Sequence, residues 1–133
     1  MSTFRLHNES ARHEQATVLL VDDDPGIRVL AEKILEAHGY RVLSCHDAAE
    51  ALRIFAAVRV DLLLTDISIP GLSGLELAEE LRARNPSLRV LLISGDEEAA
   101  IGACSGNPDM EFLCKPFRVD ELVERVARSL GLS

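Results

Sequence analysis

The sequence predicts an α/β fold, a doubly wound five-stranded parallel sheet with helices on both faces. From residue 17 onward, short apolar runs alternate with segments of helical period, in the order strand then helix, five times. Three of the runs are apolar without interruption, as strands buried on both faces require. The 133 residues suit one domain with a sizeable core, and a composition of 47% hydrophobic and 27% charged residues excludes a disordered chain.

The first two strands and helices follow from these patterns. Residues 18–21 (VLLV) predict the first strand, and the mixed run 41–45 suits an outer strand. Between them, apolar residues recur at helical spacing and form a stripe along one face of a predicted helix. Pro25 suits the first position of this helix, and Gly39 suits the position just after its C-terminal end. The stripe of this first helix consists of Ile27, Leu30, Ala31, Ile34 and Leu35, and that of the second helix of Ala48, Ala51, Leu52 and Phe55.

The remaining elements are predicted in the same way. Residues 62–64 and 90–93 predict the third and fourth strands, and 111–114 a fifth, outer strand. The fourth helix, from Asp96 to about Cys104, has the weakest pattern, because Gly102 interrupts it and residues 105–108 break it, so we expect it to be short or mobile. The third helix ends before Asn85-Pro86. Its stripe is Leu75, Ala78 and Leu81, and that of the fifth helix is Leu122, Val123, Val126 and Leu130.

This order of elements predicts both the topology and the place of the functional site. Right-handed crossovers between successive parallel strands restrict the sheet to a few arrangements. Of the two common doubly wound orders, the five-stranded 2-1-3-4-5 order fits a chain of this length. Its site is expected beyond the carboxyl ends of the strands, at the switch point between strands one and three.

Composition and charge restrict the partners and the compartment. The net charge of −8, from 14 basic and 22 acidic residues, disfavours direct nucleic-acid and membrane binding. No apolar run approaches the ~20 residues of a membrane span. The polar residues 1–16 lack the apolar segment of a secretory signal, so we expect a flexible leader before a domain at 17–133. The three cysteines have no CxxC spacing and are interpreted as small buried hydrophobes in a reducing, cytoplasmic environment.

The predicted strand ends carry acidic, hydroxyl and ammonium groups. Asp22 and Asp23 follow the first strand and Asp66 the third, while Ser94 and Lys115 follow the fourth and fifth. Carboxylates packed together repel one another unless a cation neutralises them, and Mg²⁺ with oxygen ligands suits such a cluster. A carboxylate nucleophile, Mg²⁺, a hydroxyl and a lysine are the groups that phosphoryl transfer requires. The neighbouring Asp24, before a proline, is interpreted as a helix N-cap.

Four motifs resemble those of response-regulator receiver domains and occur in the order found in that family. They are VLLVDDDP, DLLLTDISIPGLSG, VLLISG and FLCKPF, and the resemblance covers about residues 17–130. It implies a flavodoxin-like, receiver-type three-layer sandwich. It also implies that Asp66 is the phosphoacceptor, and that Asp22 and Asp23 form the acidic pair that helps to hold Mg²⁺. Asp23, Asp66 and the backbone carbonyl of Ser68 would ligate the metal.

The resemblance also assigns roles to the fourth and fifth strands. Ser94 and Lys115 would each bind a phosphoryl oxygen, and the Lys115-Pro116 peptide is expected to be cis. Phe112 lies at the aromatic switch position, where most relatives carry a hydroxyl or an imidazole, so switching would act through packing. Relatives also usually have Gly-Ala where residues 105–109 read SGNPD, which puts the output face of the fourth helix in question.

The function that the resemblance implies is phosphoryl transfer from a sensor histidine kinase or a phosphotransfer protein to Asp66. The domain would catalyse its own phosphorylation and dephosphorylation without being an enzyme in the ordinary sense. It would signal to a downstream protein through the face formed by helix four, strand five and helix five.

Alternative interpretations of the same residues stay open. Asp22 and Asp23 would be cap and loop charges, Ser94 would close a local turn, and Phe112 would be core packing. A second hypothesis for the whole chain is a haloacid-dehalogenase-like phosphatase. Such an enzyme would carry the phosphoryl group on Asp22, since Asp22-x-Asp24 resembles its nucleophile motif. Against this, Pro25 stands where Thr or Val is expected, no late acidic pair follows, and the chain has no room for a cap domain. A phosphorylation-independent interaction module is the third hypothesis.

Overall fold

The computed structural model describes residues 15–107 and 109–132, in which five strands alternate with five helices. Each strand is followed by a helix, as the alternating pattern predicts. The strands are β1 (Thr17–Val21), β2 (Arg41–Cys45), β3 (Leu62–Asp66), β4 (Arg89–Ser94) and β5 (Met110–Cys114). The helices are α1 (Pro25–Ala37), α2 (Ala48–Ala57), α3 (Gly74–Arg84), α4 (Glu97–Ser105) and α5 (Val119–Ser129).

The sheet is parallel throughout, with the strand order β2-β1-β3-β4-β5, which confirms the predicted topology. The strands with mixed sequences, β2 and β5, lie at its two edges. At the carboxyl edge, Val21 of β1 lies beside Thr65 of β3, and Ser94 of β4 lies beside Cys114 of β5. The residues that follow β1, β3 and β5 therefore emerge along one edge of the sheet.

Two apolar cores, one on each face, make the fold a three-layer sandwich. Alternate β1 residues divide between them: Leu19 and Val21 pack beneath α2, α3 and α4, and Val18 and Leu20 beneath α1 and α5. The central strands β1, β3 and β4 are almost wholly buried, as their uninterrupted apolar runs predict. The sheet is therefore covered on both faces.

The predicted stripe of α1 is wrong at one position. Leu30 is 52% exposed, whereas Ala31 and Leu35 are fully buried. With 100° between successive residues, Leu30 is rotated by roughly 120° from the centre of the buried face. On α3, the fully buried Leu77 belongs to the core although the predicted stripe omits it.

The helix ends follow side-chain and glycine signals. Asp24 is the N-cap of α1, since its Oδ1 accepts the amides of Gly26 at 2.9 Å and Ile27 at 3.3 Å. Gly39, with φ of 92°, follows the end of that helix as predicted. A capping box of Ser73 and Glu76 at the start of α3 was not predicted.

Helix α4 is short, as expected. Only its small residues Ala100 and Ala103 are buried, while Ile101 is 51% exposed. Asp96 caps its first turn through the amide of Ala99, and the Asn107 side chain donates to the carbonyl of Ala103 at its end. Gly102 lies within the helix without ending it.

The expected burial of the cysteines is correct for Cys45 but wrong for Cys104 and Cys114, which are half-buried; all three are free thiols. Burial and nearby acidic side chains raise the pKa of Cys45 to about 12. Most of the predicted leader, residues 1–14, lies outside the described residues, but the carbonyl of Ala16 accepts the amide of Arg41 beside the sheet. Within the described ranges, no helix is both long and apolar enough to cross a membrane.

Candidate functional site

Three carboxylates converge at the carboxyl edge of the sheet. Asp22 and Asp23 directly follow β1, and Asp66 is the last residue of the adjacent β3. One oxygen atom from each lies within 4.8 Å of the others. The pairing of β1 with β3 brings Asp22 and Asp66 together across the 43 residues that separate them, as predicted from the strand ends.

Asp22 is the innermost of the three and is fully buried. Its Oδ1 accepts the amide of Asp24 at 2.9 Å, and its own amide donates to the carbonyl of Cys45 at 3.2 Å. Its Oδ2 accepts no hydrogen bond of good geometry from the described residues, although Lys115 Nζ lies 3.1 Å away. A buried carboxylate oxygen without a hydrogen bond is costly in free energy unless another group binds it.

Asp66 is held on both carboxylate oxygens. Oδ1 accepts the amide of Ser68 at 2.9 Å, which closes a short turn after β3. Oδ2 accepts a hydrogen bond from Lys115 Nζ at 2.5 Å. With 14% of its side chain exposed, Asp66 is reachable from solvent, whereas the Asp22 side chain has no exposed surface.

The Lys115 ammonium group contacts the carboxylates of both Asp22 and Asp66. Lys115 follows β5, its amide donates to the carbonyl of Ser94 at 2.8 Å, and the peptide that joins it to Pro116 is cis. Burial lowers the pKa of Lys115, but the hydrogen bond to Asp66, the close ion-pair contact with Asp22 and the negative charges of both carboxylates outweigh burial and raise the pKa overall. The ammonium group is therefore charged at neutral pH.

The electrostatics of the site favour a cation. Burial raises the pKa of Asp22 and outweighs the amide of Asp24 and the charge of Lys115, which lower it. One ammonium group facing three carboxylates still leaves an acidic site. Carboxylate oxygens are the ligands that Mg²⁺ prefers, and Asp22 Oδ2 is a buried oxygen atom with capacity to accept more. These residues fit a divalent cation.

Gly74 allows the close approach of α3 to the segment that carries Asp66. Its amide donates to the carbonyl of Ile67 at 2.6 Å. A Cβ at this position would lie 2.2 Å from the backbone carbonyl oxygen of Asp66 and 2.9 Å from the Cα of Ile67. Both obstacles are backbone atoms, so a side chain here would displace the chain that carries Asp66.

In the described structure, the Ser94 side chain makes no hydrogen bond to the three carboxylates or to Lys115, although its backbone carbonyl accepts the amide of Lys115. The Ser94 hydroxyl donates to the carbonyl of Asp96 at 3.0 Å and accepts its amide at 2.9 Å, the local turn of the alternative interpretation. Phe112 is half-buried against the core beneath α4. Its backbone carbonyl accepts a hydrogen bond from Arg125.

One contact at the site was missed by the motif-based reasoning. The Arg28 guanidinium donates from Nη1 to the backbone carbonyl of Asp22 at 2.7 Å. Arg28 lies in α1, four residues after the N-cap Asp24, and its spacing from Asp22 gave no sign of a contact. A basic residue so close to a helix N-terminus, where acidic residues are favoured, is the signal that could have identified it.

Comparison with known proteins identifies the family. Residues 18–127 match the family model of the response regulator receiver domain. The chain is 34% identical over 120 residues to the DNA-binding transcriptional regulator NtrC of Escherichia coli strain K12, a match that covers 89% of this chain and 25% of NtrC. It is 36% identical over 112 residues to the response regulator MprA of Mycobacterium ulcerans, covering 82% of this chain and 47% of MprA.

The solved structures agree. The chemotaxis response regulator CheY4 of Vibrio cholerae superposes with a TM-score of 0.80 at 26% sequence identity, covering 87% of this chain and 99% of CheY4. The match thus covers nearly all of the CheY4 chain but less than half of the two curated relatives described above. The strand order, the acidic cluster at the carboxyl edge and the family match all agree, and the chain belongs to the response-regulator receiver domain family.

Proposed function

We propose that this receiver domain accepts a phosphoryl group on Asp66 from a phosphohistidine of a sensor histidine kinase or phosphotransfer protein, in a Mg²⁺-dependent reaction. The observation that carries the proposal is the position of Asp66. Its carboxylate is partly exposed at the end of β3, contacts Lys115, and lies beside two further acids. This is the arrangement that positioning and charge neutralisation in phosphoryl transfer require.

In the proposed reaction, an oxygen of Asp66 attacks the phosphorus atom of the phosphohistidine. An oxygen–phosphorus bond forms, the phosphorus–nitrogen bond breaks, and its electron pair stays on the imidazole nitrogen, which takes up a proton from solvent. Lys115, now 2.5 Å from Oδ2, is positioned to bind a phosphoryl oxygen once the acyl phosphate has formed.

Asp22, Asp23, Asp66 and the carbonyl of Ser68 would hold the cation. When bound, Mg²⁺ supplies charge neutralisation and a template for phosphoryl oxygens. The residues of the chain contribute the rest: Asp22 anchors the site from the interior, and Ser68 holds Asp66 Oδ1 through its amide at 2.9 Å.

Signalling would follow from the group added at Asp66. A dianionic phosphoryl group attracts the Ser94 hydroxyl and the Lys115 ammonium through charge-assisted hydrogen bonds. Movement of Ser94 would open space that Phe112 can fill, which would change the face of α4, β5 and α5 for a downstream protein. In this proposal the domain acts in the cytoplasm, promotes its own phosphorylation and dephosphorylation, and is not an enzyme in the ordinary sense.

The alternative of a phosphatase with Asp22 as nucleophile has less support. Asp22 is fully buried and Asp66 is partly exposed, so an incoming phosphorus atom can reach Asp66 more easily. The two hypotheses differ in which aspartate is labelled. A phosphorylation-independent interaction module would be labelled at neither.

Incubation with acetyl phosphate and Mg²⁺ tests the proposal. We expect intact-mass spectrometry to detect one added phosphoryl group, peptide mapping to assign it to Asp66, and Asp66→Asn to abolish it. Asp24→Asn is the matched control, because asparagine also serves as a helix N-cap, and this variant should be labelled normally. Labelling of the Asp66→Asn variant at the wild-type level would overturn the assignment, and labelling of Asp22 would favour the phosphatase.

A further inference from the structure

Arg28 is a basic residue that contacts the acidic site and has no part in the proposed reaction. It lies in the second turn of α1 and is partly buried. Its side chain extends back past the start of the helix, where Nη1 donates to the backbone carbonyl of Asp22 at 2.7 Å. The contact joins α1 to the segment that carries two of the three carboxylates.

The position of Arg28 is unfavourable for the helix itself. The N-terminus of a helix carries partial positive charge, so a cation in the first turns is disfavoured and an anion is favoured. The first turn of α1 contains no acidic residue. The hydrogen bond from Arg28 to the carbonyl of Asp22 is a favourable contact that offsets this cost.

The bond completes the hydrogen bonding of the Asp22 backbone. The amide of Asp22 donates to the carbonyl of Cys45, which continues the pairing of β1 with β2 by one residue. The carbonyl of Asp22 lies beyond the end of β1, and Arg28 is its donor. A buried carbonyl that loses its donor costs about 1–3 kcal/mol.

This carbonyl also controls the geometry between the two acids. The peptide bond between Asp22 and Asp23 is planar, so fixing the oxygen atom of Asp22 fixes the orientation of the amide of Asp23. The side chains of both residues branch from the two ends of this one peptide plane. A donor held at 2.7 Å from the oxygen atom therefore limits the rotation of the segment between them.

We propose that Arg28 is a positioning residue of the cation site, which holds the peptide plane between Asp22 and Asp23 so that both carboxylates stay in place for a divalent cation. The inference rests on the proposed function, because it concerns the same metal site. Arg28 acts through the backbone of Asp22 and not as a ligand.

The charge of Arg28 and its hydrogen bond should affect the Mg²⁺ affinity of the site in opposite directions. Removing a positive charge near a cation site lowers electrostatic repulsion and should tighten Mg²⁺ binding. Removing a positioning contact should weaken it, since outer-shell partners of metal ligands typically contribute about 10–100-fold in metal affinity. The direction of the change thus separates the two roles.

The test is the Mg²⁺ dissociation constant of the full chain, measured by isothermal titration calorimetry. For Arg28→Met, which removes the charge and the donor but keeps an unbranched, flexible side chain, we expect about tenfold weaker binding. Arg28→Lys, which keeps a charge and a donor, should recover part of the loss. The control is Arg53→Met on α2, an exposed arginine outside the site with no hydrogen bond or ion pair among the described residues, which should leave the affinity unchanged.

A second readout excludes a merely structural role. In amide NMR spectra without metal, Arg28→Met should shift the resonances of Asp22 and Asp23 while leaving those of β4 in place. Should this variant not fold, Arg28→Gln, which is neutral and too short to reach the carbonyl, carries the same expectation. Binding as tight as wild type, or tighter, in the folded variant would overturn the inference alone. A wild-type chain that binds no Mg²⁺ would overturn the proposed function, and the inference with it.

Discussion

The three carboxylates of the site differ in exposure, and this difference agrees with the separate roles that the proposed function gives them. Asp22 is fully buried and holds Lys115 from the interior, Asp66 is partly exposed, and Asp23 is exposed at the rim. A nucleophile must be reachable by its substrate, whereas a residue that anchors a cation need not be. In the proposed function, the same residue type would therefore serve as nucleophile at Asp66 and as cation ligand at Asp22 and Asp23.

The Asp23 carboxylate is exposed, so it adds negative charge to the site but little packing to the fold. We predict that Asp23→Asn weakens Mg²⁺ binding but does not lower the stability of the metal-free protein, because it removes repulsion among the three acids. Urea denaturation without metal and calorimetric Mg²⁺ titration would measure the two effects. A clear loss of metal-free stability would instead show that Asp23 has a structural role.

The close packing at Gly74 makes a second prediction at the residue scale. Gly74→Ala should destabilise the protein by about 1–3 kcal/mol and slow labelling by acetyl phosphate, since the new Cβ collides with the Asp66 backbone. Gly102→Ala is the matched control. It lies inside α4 with no atom within 4 Å of the added Cβ, so it should stabilise the protein by about 0.5–1 kcal/mol. Equal stability of Gly74→Ala and wild type would refute the packing argument.

Among the helices, α4 is the one best placed to respond to phosphorylation. The Ser94 hydroxyl is bound to the backbone of Asp96, and Asp96 caps the first turn of α4. A hydroxyl that moves to a phosphoryl oxygen must leave this turn. Because few large apolar side chains of α4 are buried, little free energy opposes a change in its position.

Amide hydrogen exchange with and without beryllofluoride, a phosphoryl mimic, would test this coupling. We expect the mimic to change protection from Asp96 to Phe112, with the first turn of α4 affected most, and Asp66→Asn to abolish the change. If the changes are confined to the loops after β1 and β3, the proposed output face is wrong.

At the scale of the whole molecule, the acidic site and the two apolar cores are all built on the same β-sheet. The buried strands β1 and β3 contribute to each core and carry the acidic residues at their ends. A ligand that binds only the folded chain therefore stabilises all of it, by an amount set by ligand concentration and affinity.

We accordingly predict that Mg²⁺ at a hundred times its dissociation constant raises the free energy of unfolding by about 2.7 kcal/mol. Urea denaturation would measure the increase. The control is NaCl at equal ionic strength, because a chain of net charge −8 is also stabilised by general screening. The same increase in NaCl as in Mg²⁺ would contradict specific binding.

Sequence reasoning predicted most of the fold and the candidate site from local signals. The apolar runs predicted the central and edge strands, and the strand ends brought Asp22, Asp23, Asp66 and Lys115 to one edge. It was wrong at Leu30, because helical period identifies an apolar face only approximately when the helix packs at the margin of a sheet. The functional roles of the site residues stay predictions, namely those of Asp22, Asp23, Asp66, Ser68, Ser94, Phe112 and Lys115.

By itself the sequence determined the order of elements, the parallel topology and the residues that meet at the carboxyl edge, because period, caps and strand ends are local properties of the chain. Only the tertiary structure decided that Asp22 is fully buried, that Arg28 binds its carbonyl, and that the Ser94 hydroxyl stays in a local turn. The surroundings of Asp22 come from distant segments, since Cys45 and Lys115 contact it, whereas the contacts of Arg28 and Ser94 span only six and two residues. In each case competition among nearby hydrogen-bond partners decides which contact forms, and the sequence pattern alone did not predict its outcome.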